Sequence, residues 1–200
     1  LLAANLQKDA RRANAMLPAR EQFNEKSLER AAADPSKYLA GEKSRIPTRA
    51  THELLLFAVG RLARSKPDEA AAHLEAHAAV LGADDTRYGY GQIAFAAAQS
   101  HHPRALAWYE RAAEAPLTDA QLAWKARSAL RAGDWAAVRG AINVMSPEEA
   151  RDPAWRYWLA RGLAEGGSRE ASAAILGPLA RERHFYGLLA AEDIGRVEKP

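Results

Sequence analysis

Between Asp152 and Leu163, in DPAWRYWLARGL, apolar residues recur at helical spacing. Trp155, Trp158, Leu159, Gly162 and Leu163 follow i, i+3, i+4, i+7, i+8 and form one stripe. Tyr157, Ala160, Arg161 and Ala164 fall on an adjoining face, and Arg156 points elsewhere. The stripe predicts hairpin core, with Gly162 where a partner helix crosses. A carbohydrate platform needs exposed rings, and this spacing hides them. Asp152 supplies an N-cap and Pro153 the first helical position.

Similar punctuation recurs along the chain. TDAQ (Thr118 to Gln121) and SPEE (Ser146 to Glu149) read as capping boxes. Gly133 and Gly166-Gly167 read as stops. These signals predict helices over 48–65, 67–81, 84–100, 103–115, 118–132, 134–145, 153–166, 168–182 and 185–195. First helices of successive pairs begin near Thr48, Asp84, Thr118, Pro153 and Phe185, 32 to 36 residues apart. That period is close to the ~34 residues of a tetratricopeptide-type hairpin. What repeats is shape: a helix, a tight turn, then an Ala-rich helix, as in PDEAAAHL, HPRALAWY, GDWAAVRG and GSREASAAIL. The expected fold is all-α, a right-handed α-superhelix (solenoid) of stacked, tetratricopeptide-like hairpins. Residues 1–46 form its N-terminal part, one or two helices broken at Pro18 and at Asp34-Pro35. Residues 47–200 form the stacked hairpins.

Composition supports this reading. Hydrophobic residues make up 48% of 200 residues, Ala dominates them, and β-branched residues are sparse, which favours helix over sheet. The net charge is +3. Residues 1–66 carry 13 Lys/Arg against 7 Asp/Glu, residues 67–150 carry 7 against 11, and residues 151–200 carry 8 against 7. The basic excess is mixed with acids, a solvated helical surface rather than a nucleic-acid stripe. The absence of Cys excludes disulfides, thiolate metal sites and a Cys nucleophile. The longest apolar run, LLLFAVG, is too short to span a bilayer. The opening LLAANLQKDARRANAM lacks an initiator Met and a signal-peptide layout, as expected of an excised piece or a mature chain.

Candidate chemistry is thin. HLEAH places His73 and His77 at i and i+4, but a catalytic zinc helix has Glu directly after the first His, where Leu74 stands. GYGQIA (Gly89 to Ala94) matches a dinucleotide-binding pattern in letters only. No strand precedes it, so it reads as small residues at a helix contact. Asp84-Asp85, Glu148-Glu149 and Glu192-Asp193 are neighbours whose side chains diverge on a helix. No catalytic, cofactor-binding or metal-binding residue is assigned from the residue pattern.

The stretch from Ala132 to Gly195 resembles the end of the superhelical domain of the soluble lytic transglycosylases of Gram-negative bacteria. The carrying pieces are GDW, WRYWLAR and RHFYGLLAAEDIG, with TDAQLAWKARSALRAGDW and its Trp124 and Arg127 upstream. The motif residues are Trp124, Trp135, Trp155, Tyr157, Trp158, Phe185, Tyr186, Ala190, Ala191 and Gly195, with structural roles. The resemblance is specific over 118–195 and looser upstream.

It implies a periplasmic or outer-membrane-associated protein. In that family a U-shaped superhelix closes into a ring with a linker and a C-terminal, goose-lysozyme-like catalytic domain. That domain cleaves the bond between N-acetylmuramic acid and N-acetylglucosamine, leaving a 1,6-anhydro end. One Glu acts as acid and then as base. Its Glu-Ser and Gly-Leu-Met-Gln motifs do not occur here. The resemblance therefore implies a non-catalytic scaffold segment, inactive alone, without cofactor. Its implied partners are peptidoglycan glycan strands, the family's catalytic domain and cell-wall proteins, with no nucleic acid. The other reading is a tetratricopeptide-like protein-interaction module.

Overall fold

The computed structural model describes residues 7–42 and 48–197. Every α- or 3-10 segment found there is helical and no strand occurs among the described residues, as the all-α expectation requires. The chain divides into two compact units, Leu1–Pro116 and Leu117–Pro200.

The first unit begins with α1 (Gln7–Ala15), α2 (Glu25–Ala33) and α3 (Pro35–Gly41). The sequence pattern predicts one or two helices here, and three α-helices form. Each break has a local cause. Asn14 exchanges two hydrogen bonds with the Phe23 backbone, which closes the loop after α1. Asp34 ends α2 and caps α3, accepting from Lys37 N–H, with Pro35 at the first helical position.

Next come α4 (Arg49–Ala63), α5 (Pro67–Ala76), α6 (Ala78–Gln99) and α7 (Ala105–Ala112). The predicted helix over 67–81 is interrupted at His77, whose backbone leaves helical values. The chain bends again at Gly82, with φ 76° and ψ 176°. That backbone region is nearly restricted to glycine. The next predicted start, at Asp84, follows that bend. The expected 103–115 helix is shorter, since His101 and Ala113 take positive φ at its flanks.

Four helices of this unit, α4 to α7, share one core: Leu55 and Val59, Leu74, Tyr90 and Ile93, then Trp108 and Tyr109 are all fully buried. Each such side chain contributes roughly 1.5–3 kcal/mol when removed from water. GYGQIA sits inside α6, away from any helix start. A Cβ on Gly89 would lie 2.7 Å from Leu74 Cδ1 and 3.3 Å from Leu56 Cδ2. The glycine is there for close helix approach, as the sequence reading expects.

Ion pairs at a seven-residue interval join α5 to the α7 segment. Asp68 accepts from Arg104 at 2.8 Å, and Glu75 accepts from Arg111 at 2.7 Å and from the Tyr90 hydroxyl at 2.7 Å. Two helical turns separate the pairs on each side, so both rows stay in register. The Arg104 and Arg111 guanidinium carbons also lie over the Trp108 and Tyr90 rings, at 4.9 and 4.1 Å.

The second unit holds α8 (Asp119–Ala132), α9 (Trp135–Asn143), α10 (Pro153–Glu165), α11 (Arg169–Leu179) and α12 (Phe185–Val197). Consecutive helices pack on one another, and α12 also reaches α10. Both bonds of the Thr118–Gln121 capping box form, and Gly133 ends α8 at φ 70°. The SPEE box is only half made. Ser146 Oγ accepts from Glu149 N–H. Glu149 instead accepts from Trp155 Nε1, and Ser146 N–H donates to Asp119. Only a short 3-10 turn, Glu149–Arg151, follows.

The apolar stripe of α10 is corrected. Trp155, Tyr157, Ala160 and Gly162 are buried, whereas Trp158, Leu159 and Leu163 are half-buried. The helix packs against α9 on one side and α11 and α12 on another. Two burial faces therefore replace the single stripe. Gly162 is a crossing point, as expected: a Cβ there would lie 3.0 Å from Arg139 Cγ. Arg139 donates to the Gly162 carbonyl at 2.6 Å.

Candidate functional site

A cluster of polar and aromatic groups in the second unit lies where α12 closes on α10. Tyr157 and Arg161 stand one turn apart on α10, so both reach the same acceptor on α12. The Tyr157 hydroxyl donates to Asp193 Oδ2 at 2.9 Å, and Arg161 donates to the Tyr157 oxygen at 3.1 Å. Arg161 also lies 3.5 Å from Asp193. Burial pushes the Tyr157 hydroxyl above its usual value, with Asp193 adding to the shift and Arg161 opposing it. The hydroxyl therefore stays a donor.

A second triad sits at the start of α12. Glu182 accepts from Arg156 at 2.7 Å and lies 2.8 Å from His184 Nε2. His184 and then Arg156 hold the Glu182 carboxyl below its usual range. His184 Nδ1 accepts from Gly187 N–H at 3.1 Å, which caps the helix. Gly187 is the tightest position. A Cβ there would fall inside the Glu182 carbonyl and 3.0 Å from the Leu179 oxygen.

Beneath these triads lies a cluster of Tyr157, Ala160, Leu176, Leu179 and Ala190, with Trp158, Tyr186, Leu189 and Ile194 against it. Tyr157 meets Trp158 edge-on at 5.2 Å and Tyr186 at 5.7 Å. Such aromatic pairs add roughly 0.5–1.5 kcal/mol beyond area burial. Every polar group named here already has a partner, so the chemistry is that of a clasp.

Among the motif residues, Trp155, Tyr157 and Ala190 are buried, and Trp135, Trp158 and Tyr186 are half-buried. Phe185 is 66% exposed, and Ala191 and Gly195 are exposed. Trp124 is half-buried on α8, with the Arg127 guanidinium over its ring at 5.3 Å and over Trp155 at 5.0 Å. Tyr157, Tyr186 and Ala190 come together at the clasp. Trp124 and Trp155 meet through Arg127.

Sequence reasoning missed Gly187 and the partnership of Arg161 with Asp193. Their 32-residue separation leaves no periodic signal. A glycine three residues into a helix, beside His184, was the available hint.

The other candidates have local roles. His77 Nδ1 lies 2.8 Å from the His73 carbonyl oxygen, and His73 lies 4.0 Å from Glu69. Asp84 pairs with Arg87, and Asp85 with His52. Among the described residues, no three His, Cys, Asp or Glu side chains gather where they could hold a metal ion. No helix among them is long and apolar enough to cross a membrane. In the first unit, a cleft of about 500 Å³ is lined by Arg30, Asp34, Lys37, Tyr38 and Glu42. Burial, with Glu42 nearby, pushes the Tyr38 hydroxyl up to about 12.

No family model and no curated protein matches the chain. Solved structures do. An inactive mutant of the lytic transglycosylase Slt from Pseudomonas aeruginosa is similar over 97% of this chain, at 26% identity and a TM-score of 0.71. The 70-kDa soluble lytic transglycosylase in complex with bulgecin A is similar in fold over 97% of the chain, at 22% identity and a TM-score of 0.65. The chain spans 32% of the length of either structure. The likeness supports a relationship between this chain and a part of the lytic transglycosylases.

Proposed function

We propose that this chain is the non-catalytic superhelical scaffold of a peptidoglycan lytic transglycosylase. In this reading it positions a lysozyme-like domain on glycan strands, and that domain cleaves N-acetylmuramic acid–N-acetylglucosamine bonds to 1,6-anhydro products. One observation carries it: similarity over 97% of the chain, at 26% identity, to part of such an enzyme. The paired polar groups of the clasp agree with it, because they hold helices together. Among the motif residues, Tyr157, Tyr186 and Ala190 serve as packing elements. The setting is periplasmic, at the cell wall or the outer membrane, with glycan strands, the catalytic domain and cell-wall proteins as partners.

The test uses purified sacculi. The expected result is that the pure chain pellets with them and releases no anhydromuropeptides. Turnover by the pure chain overturns the scaffold role, and failure to pellet overturns the glycan association. The coding sequence offers a separate check. Continuation past Pro200 into a domain with Glu-Ser and Gly-Leu-Met-Gln motifs supports the reading. A stop codon or an unrelated domain there overturns it.

A further inference from the structure

The geometry points to Trp124 and Arg127 as a platform that binds a free carboxylate on the peptides attached to peptidoglycan strands. Trp124 and Arg127 stand at i and i+3 on α8 and so share a face. Arg127 is exposed. Its guanidinium carbon lies 5.3 Å from the Trp124 ring centre and 5.0 Å from that of Trp155, within the range of cation–π attraction. Trp155 is a rigid wall: it is 4% exposed and its Nε1 is tied to Glu149 at 2.8 Å.

Among the described arginines of this unit, only Arg127 places its guanidinium over two indole rings. Arg156 is held by Glu182 and Arg161 by Asp193. Among the described residues, no carboxylate comes within 4.0 Å of Arg127, and the indoles hold it instead. Ring faces engage the guanidinium through its π surface and leave the N–H edge available. That edge is a planar fork, and its natural complement is a carboxylate bound through two parallel hydrogen bonds. Holding the fork still before binding removes part of the ordering cost. The half-buried Trp124 ring adds an apolar surface for the carbons beside the carboxylate.

The carboxylate chemistry comes from Arg127. The carrier, a peptide on a glycan strand, rests on the scaffold reading above.

The indole N–H signals of the ¹⁵N-labelled chain report on the platform directly. Three probes are titrated: soluble glycan fragments bearing their peptides, the same fragments stripped of peptide, and inorganic phosphate. The peptide-bearing fragment is expected to move the Trp124 and Trp155 signals, and the stripped fragment to leave them in place. Arg127→Gln is expected to weaken binding tenfold or more. Arg127→Lys is expected to weaken it severalfold, because a lysine keeps the charge and loses the fork. Circular dichroism of both variants confirms that the helices are intact.

An unchanged Kd in Arg127→Gln overturns the platform, as does a stronger response to phosphate than to the peptide-bearing fragment. If the wild type and Arg127→Gln pellet equally with sacculi and bind the fragment equally, the platform fails and the scaffold reading stands. If the wild type does not pellet while the peptide-bearing fragment still moves Trp124, the glycan association of the scaffold reading fails and the platform stands.

Discussion

Gly187 and the Tyr157–Asp193 pair make the sharpest single-residue demands. At Gly187, any Cβ meets the backbone carbonyls of Glu182 and Leu179. Backbone cannot swing aside as a side chain can, so the start of α12 must move. Gly187→Ala is expected to destabilise the protein by about 3 kcal/mol, read as a lower midpoint in urea unfolding. A loss within about 0.5 kcal/mol would show that the turn relaxes freely. Tyr157 and Asp193 share a 2.9 Å hydrogen bond between a buried hydroxyl and a mostly buried carboxylate. A double-mutant cycle with Tyr157→Phe and Asp193→Asn is expected to give a coupling of roughly 1–2 kcal/mol. Additive losses would mean that the two residues act independently.

Among the elements, helix ends and bends are set by backbone regions that only certain residues tolerate. Gly133 ends α8 in the left-handed region, at φ 70° and ψ 15°. Gly82 bends α6 at φ 76° and ψ 176°. Alanine enters the first region at a cost of about 1 kcal/mol, and the second at about 1–3 kcal/mol. Gly82→Ala is therefore expected to lower the melting temperature more than Gly133→Ala. The reverse order would show that the Gly82 bend is not required for the native packing of α6. The bend also separates the Ala78–Leu81 turn from the long helix that carries Gly89 and Tyr90 to α4, α5 and α7.

Across the whole molecule, the ion pairs define an acid limit. Glu75 is held below its usual value of 4.5 by Tyr90 and then Arg111, and Glu182 by His184 and then Arg156. Asp119 is held below 3.8 by hydrogen bonds from Ser146. A carboxylate whose pKa is lower folded than unfolded adds stability above its unfolded pKa. That contribution is lost as pH falls through the folded value. Stability is expected to hold above about pH 5 and to fall progressively below pH 4.5. Glu182→Gln should flatten part of that slope. Because the Glu75 pair is exposed and the Glu182 pair half-exposed, 1 M salt should flatten it further. Unfolding midpoints at pH 3–7, with and without salt, give the measurement, and a slope indifferent to salt would rule out exposed ion pairs as its source.

Much of this was legible in the order of residues. The caps at Thr118 and Asp152, the proline at 153 and the glycine at 133 act through local backbone chemistry, so helix starts and stops fell within a few residues. The hairpin period was visible for the same reason. Burial on α10 was not, because periodicity shows that a face is apolar but not how many neighbours a helix will meet. Tyr157 and Ala160, read as lying beside the stripe, became core because α11 and α12 cover them. Glu149 left its capping box for Trp155, since an indole N–H buried nearby needs an acceptor more than a short 3-10 turn needs a cap. Residues alone thus determined an all-helical chain with Trp124, Arg127 and Trp155 on it. Only packing brought the two indoles to one guanidinium, because contacts across helices depend on crossing geometry that no local pattern encodes.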